Sequence, residues 1–175
     1  MIFTQTSLSG VWLIDLEPHV DERGFLVRTY CEREFADHGL NTEWPQSNLT
    51  LTRRRGMLRG LHYQAEPRPE IKLIRCNAGA VFDVVVDIQP DSPTFGRWAG
   101  FELNEKNQRS LYIPVGFAHG FQCLQDDCEV FYQMSDYYDP DLVRGIVWND
   151  PRVGIKWPIA GPVLSERDSN LPGLD

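Results

Sequence analysis

The sequence has no apolar run that approaches the roughly 18 residues needed to cross a bilayer as a helix. Its first ten residues, MIFTQTSLSG, lack the charged start and apolar centre of a secretory leader, so a cytoplasmic protein is expected. Cysteine is scarce. Cys31, Cys76, Cys123 and Cys128 show neither CxxC spacing nor a zinc-like pairing with histidine, and they are expected to be reduced packing residues. Cations are also in deficit, 17 against 25 acids for a net charge of −8, which argues against a nucleic-acid or membrane surface as the main partner. Helical periodicity is scarce too, and only residues 32–38 read as one or two helical turns.

What is present is a single domain's worth of chain, 175 residues with 42% apolar and 24% charged content, enough to bury a core without staples. Short β-rich runs recur at 11–16, 24–30, 47–52, 57–64, 71–76, 80–88, 98–103, 110–113, 118–124, 129–134 and 145–148, separated by Gly, Pro, Asn and Asp turns. This spacing predicts an all-β sandwich, barrel or jelly roll over residues 1–175. The tail from Asp150 is too proline-rich for central strands and is expected to wrap the barrel. Along 80–88 the alternation sets Val81, Asp83, Val85 and Asp87 opposite Phe82, Val84, Val86 and Ile88. One face therefore reads as core, and the other carries two acids in need of partners or water.

The charge is distributed unevenly. From Arg53 to Arg75 seven cations face only Glu66 and Glu70, a net +5 that reads as a pocket for a small anion. Within it, Arg59, His62 and Lys72 are close in sequence, and burying them together is costly without an anionic ligand. His62 by itself reads equally as a hydrogen-bonded strand histidine or as a base. Arg53 to Arg55 read as a solvated turn, and His19 and His38 as solvated side chains. Residues 114–121 fit the PxGxxH pattern of cupin jelly rolls through Pro114, Gly116 and His119. Where metal cupins carry HxH, however, this chain has His62-Tyr63-Gln64, so no metal is expected. Tyr132 and Asp168 read alone as a packed tyrosine and a surface acid.

Taken together these motifs resemble the dTDP-4-dehydrorhamnose 3,5-epimerase family of cupins. The resemblance runs through Asp21-Glu22-Arg23-Gly24-Phe25, Gln46-Ser47-Asn48, Leu58-Arg59-Gly60-Leu61-His62-Tyr63-Gln64, Lys72-Leu73-Ile74-Arg75-Cys76, Pro114 to Phe121, Trp148-Asn149-Asp150 and Leu164 to Asp168. It implies a jelly-roll homodimer that needs neither metal nor cofactor and acts on a nucleoside-diphosphate 4-keto-6-deoxy sugar. By resemblance His62 is the base, Asp168 its partner, Lys72 the cation at the sugar's 4-oxygen and Tyr132 the acid on the far face. Arg23, Gln46, Asn48, Arg59, His119 and Arg167 match positions that hold the sugar and its diphosphate, and Phe25 and Tyr138 match positions that stack on the nucleoside. Two positions depart from the family's glutamates, Arg28 and Val143, and an arginine there would suit cytosine better than thymine. A CDP-linked substrate and a non-catalytic sugar-nucleotide binder are therefore the alternative expectations, and the choice between C3, C5 or both is open.

Overall fold

The alternating strands pair into two antiparallel sheets whose apolar faces meet. A computed structural model describes residues 1–174. In chain order its elements are β1 Ile2–Gln5, β2 Trp12–Asp15, β3 His19–Asp21, β4 Gly24–Leu26, α1 Glu32–Asp37, β5 Gln46–Thr52, β6 Leu58–Gln64 and β7 Lys72–Ala78. There follow β8 Ala80–Asp87, β9 Trp98–Asn104, β10 Arg109–Ile113, β11 Phe117–Cys123, β12 Cys128–Met134, β13 Val143–Gly145 and α2 Glu166–Ser169. One sheet runs β1-β2-β10-β7-β12-β5, the other β13-β6-β11-β8-β9, and β3 and β4 form a separate hairpin. This is the cupin-type jelly roll the sequence predicts.

The core between the sheets is built from side chains at every second position. Ile74, Cys76 and Val130 come from the six-stranded sheet and meet Val81, Val85 and Phe121 from the other. The expectation for β8 is half right, since both faces are buried: the acid-bearing face puts Val81 and Val85 into the core between the sheets, and Ile146, Val153 and Leu174 of the C-terminal region cover Val84 and Val86 on the acid-free face. Each such valine is worth about 1.5–3 kcal/mol against exposure, which explains why a proline-rich tail stays down. The tail is further tied by the buried Asp150 carboxylate, which accepts the backbone N–H groups of Arg152 and Leu174, each at 2.7 Å. The two acids on β8 have both found partners. Asp87 accepts the hydroxyls of Ser92 and Thr94 and braces the turn after its strand, and Asp83 meets His119.

Several boundaries differ from the sequence expectation. The run at 24–30 gives only the three residues of β4, and β1 and β3 pair where no strand is expected. The run at 145–148 leaves the ladder after Ile146, which still exchanges hydrogen bonds with Leu61, because Val147 N–H donates to Pro172 of the tail instead. Cys76, Cys123 and Cys128 are buried, Cys31 is partly buried, and all four are unpaired. Burial pushes the Cys76 thiol up to about 12, so it behaves as a packing residue. Arg53 to Arg55 lie exposed in a turn, and His19 and His38 are exposed as well.

Candidate active site

Strict alternation would place Arg59 and His62 on opposite faces of β6, since they are three apart. A bulge changes this. In the pairing with β11, His62 faces His119 and Arg59 faces Phe121, so Gly60 and Leu61 together oppose the single residue Gly120. Only glycine suits the bulge. Gly60 has φ +126°, and a Cβ there would sit 2.5 Å from Gly120 Cα. The extra residue brings both Arg59 and His62 to a cavity of about 510 Å³ walled by strands of both sheets. It also frees the Gly60 N–H, which donates to Asp168 Oδ2 at 3.1 Å.

Asp168 arrives from the short helix α2. Ser165 caps that helix by accepting the Asp168 N–H at 3.1 Å, which fixes the carboxylate's direction. Its other oxygen lies 2.8 Å from His62 Nε2. A carboxylate only accepts, so Nε2 carries the proton and Nδ1 is left as the basic nitrogen. Burial pushes the Asp168 carboxyl up, but the His62 hydrogen bond and charge and the Gly60 N–H together outweigh it, holding Asp168 below the usual range. The surface reading of Asp168 is thereby corrected, since it is buried. A second pair stands beside the first. His119 Nε2 is 2.9 Å from the Asp83 carboxylate, whose own pKa burial drives upward despite the imidazole.

The opposite wall comes from β5, β7 and β12. Tyr132 is paired with Asn48 on one side and Ile74 on the other, and Met134 with Gln46 and Lys72, so these inward side chains form one patch. Tyr132 keeps its proton beyond the ordinary range, chiefly because its ring is buried. Lys72 Nζ lies 2.7 Å from Glu70. Arg59 Nε donates to Thr52 Oγ1 at 2.9 Å, and Tyr138 N–H donates to Gln46 Oε1 at 3.0 Å, placing the tyrosine at the rim. Of the expected residues, the structure brings His62, Tyr132, Lys72, Asp168, Gln46, Asn48, Arg59, His119, Tyr138 and Arg167 to one cavity, and Val143 lines it as well. Glu70, missed in the sequence, also lines it. Its i, i+2 spacing to Lys72 on an extended segment is the signal that could have found it.

Three expected residues lie elsewhere in the chain. Arg23 and Phe25 sit on the exposed β3–β4 hairpin, where Arg23 pairs with Asp21. Arg28 follows the hairpin and holds Glu34 at 3.1 Å. The hairpin is a two-stranded sheet of its own, and none of the three residues lines the cavity. Among the described residues no group of three or more His, Cys, Asp and Glu side chains is placed to hold a metal ion. The cavity instead offers a base, an acid and a cation from two facing sheets, an arrangement suited to moving a proton across a carbon acid.

Comparison with known proteins agrees with this chemistry. A family model described as dTDP-4-dehydrorhamnose 3,5-epimerase matches residues 5–175. A protein of that name from Methanothermobacter thermautotrophicus is 43% identical over 175 residues, covering 98% of this chain and 94% of its own. Among solved structures, the epimerase from Bacillus anthracis with TDP and PPi bound superposes with a TM-score of 0.96 at 37% identity, covering 99% of both chains. The enzyme from Legionella pneumophila in complex with dTDP-4-keto-L-rhamnose gives 0.94 at 36% identity, covering 99% of this chain and 92% of that one.

Proposed function

The chain belongs to the dTDP-4-dehydrorhamnose 3,5-epimerase family, and on that premise we propose how its residues divide the work of epimerising a dTDP-linked 4-keto-6-deoxy sugar. It is an isomerase of deoxysugar biosynthesis, acting at the carbons that flank the 4-ketone. His62 Nδ1 takes the proton from such a carbon, and Asp168 steadies the imidazolium that results. The electron pair moves onto the ketone oxygen, where the Lys72 ammonium meets the developing charge. Tyr132 then returns a proton from the other sheet, inverting the centre. Sheets in a sandwich stand about 10 Å apart, room for one sugar ring between the two walls. Base, cation and acid are all side chains, so the reaction needs no cofactor.

The observation that carries this reading is the His62–Asp168 pair on one wall with Lys72 and Tyr132 on the wall facing it. Arg59, His119 and Arg167 supply positive or hydrogen-bonding groups for the diphosphate, Gln46 and Asn48 polar contacts to the sugar, and Tyr138 a ring at the rim. Phe25 and Arg23 reach a cavity by crossing to a second copy in a homodimer, whereas Arg28 stays with Glu34 of its own chain. The hairpin is built for such a crossing, with Val20 76%, Leu26 75% and Phe25 59% exposed. Leu49 and Leu51, exposed on the edge strand β5, add apolar surface for a partner. Residues 1–175 act as one catalytic domain, and four unpaired cysteines suit a reducing cytoplasm.

Proton NMR in deuterated water with the dTDP-4-keto-6-deoxy sugar tests the assignment. Solvent deuterium should enter C3, C5 or both. A chain that binds the nucleotide sugar yet exchanges neither proton would be a binder and not an epimerase. With Arg28 engaged by Glu34, no observation favours cytidine. Calorimetry should find dTDP bound more tightly than CDP.

A further inference from the structure

Two acids line the cavity, and the reaction proposed above uses only Asp168. The other, Glu70, is buried to 7% exposure beside Lys72 at 11%, with 2.7 Å between carboxylate and ammonium. Its second oxygen, Oε2, is buried and has no hydrogen-bond partner among the described residues. A carboxylate with one oxygen unmatched is costly to bury, and a buried ion pair seldom repays its desolvation in stability. What Glu70 does to its neighbours therefore accounts for it better than stability does.

We propose that Glu70 is a positioning residue for the epimerisation: its carboxylate pins the Lys72 ammonium against the cavity wall, where the enolate oxygen forms. The inference rests on the reaction assigned above. Lysine carries its charge on a flexible four-carbon stem, and an unpinned ammonium would spend the reaction in solvent. Holding it in advance removes that reorganisation from the barrier. Glu70 also acts on Tyr132. Burial of the ring is the main reason the phenol keeps its proton, and the Glu70 charge adds to it, while Arg59 works the other way. One carboxylate thus holds the ammonium in place and favours the protonated form of the phenol. The remaining charged and titratable groups around the two are Tyr138 at the rim and His62, Tyr63, Asp168, His119, Asp83 and Arg167 on the facing side. Asp168 is committed to His62 and Asp83 to His119, which leaves Glu70 as the anion in contact with Lys72.

The opposing expectation is explicit. A carboxylate beside a cation subtracts from its field, so if field strength alone mattered, Glu70→Gln would be faster than the parent. Wild type, Glu70→Gln and Glu70→Asp are compared by deuterium wash-in and product formation across pH 6–10, with dTDP affinity and thermal unfolding measured alongside. For Glu70→Gln we expect kcat lower by roughly tenfold to a hundredfold, with KM little changed. The alkaline limb of kcat/KM should move to lower pH, because losing the anion removes one of the causes that hold the Tyr132 phenol protonated. Glu70→Asp keeps the charge one methylene further back and should restore part of the limb. If Glu70→Gln does not fold, the aspartate variant decides, and an unchanged kcat with it overturns the proposal. An unmoved limb or a faster Glu70→Gln enzyme, with the wild type active, overturns this proposal alone. A wild type that exchanges no proton removes the epimerase assignment and this inference with it.

Discussion

Replacing Asp168 by asparagine keeps the shape of the buried side chain and inverts one hydrogen bond. The carboxylate accepts twice, from Gly60 N–H at 3.1 Å and from His62 Nε2 at 2.8 Å. An asparagine has one accepting oxygen and one donating amide. If the oxygen stays on Gly60, whose N–H has no other partner, the amide faces His62 and requires Nε2 to accept. The imidazole proton then moves to Nδ1, the nitrogen proposed as the base, and the base is disabled by its own tautomer. The charge that stabilises the imidazolium is lost as well. General-base catalysis is worth about 10² to 10⁴ in rate, and a wrong tautomer lies at the upper end. We therefore expect kcat to fall by about 10³ to 10⁴, equivalent to roughly 4–5.5 kcal/mol of barrier. Affinity for dTDP should stay within about twofold, since the nucleotide does not touch the dyad in the arrangement proposed. Stopped deuterium wash-in gives kcat, and calorimetry gives the affinity. A variant within tenfold of the parent would refute the tautomer argument, and equal losses in kcat and dTDP binding would show that Asp168 shapes the cavity instead.

Tyr132→Phe should leave deuterium exchange with retained configuration while the inverted product falls by about 10² to 10⁴; parallel loss of both would take Tyr132 out of the reprotonation step. Gly60→Ala forces a side chain into positive φ and against Gly120 Cα, and should cost about 2–4 kcal/mol, lowering Tm by roughly 5–15 °C. A variant that melts with the parent would contradict the bulge requirement. Asp168 is held below its unfolded pKa of about 3.9. Its contribution to stability is therefore complete above that value and is lost as pH falls through the folded pKa. Tm recorded from pH 7 to 3 should drop less steeply in Asp168→Asn than in the parent, and identical slopes would count against the dyad's electrostatics.

The architecture was largely legible because strand, turn and strand follow each other in a period the eye can read, and because Pro114, Gly116 and His119 form a local pattern. Lys72 and Tyr132 face inward by plain alternation. The His62 partner was not legible from residues alone. It stands 106 positions away, on a four-residue helix too short to show periodicity, and only the family resemblance pointed to it. Arg59 and His62 could not be placed on one face by alternation, and the glycine between them was the unread signal of a bulge. Arg23, Phe25 and Arg28 do not line the cavity of their own chain, and spacing along a sequence carries no information about where a separate hairpin is placed.

The bulge in β6 also constrains anyone who would transplant this chemistry. One surplus residue shifts the odd-even count of the strand, so the arginine and the histidine proposed for phosphate grip and proton abstraction are encoded in opposite parities of the same seven-residue sentence. A regular sandwich strand given the identical letters would display the arginine or the histidine to its pocket, and never the two at once. Grafting side chains alone would therefore transfer half an enzyme, and the portable unit is the backbone irregularity together with the glycine that permits it.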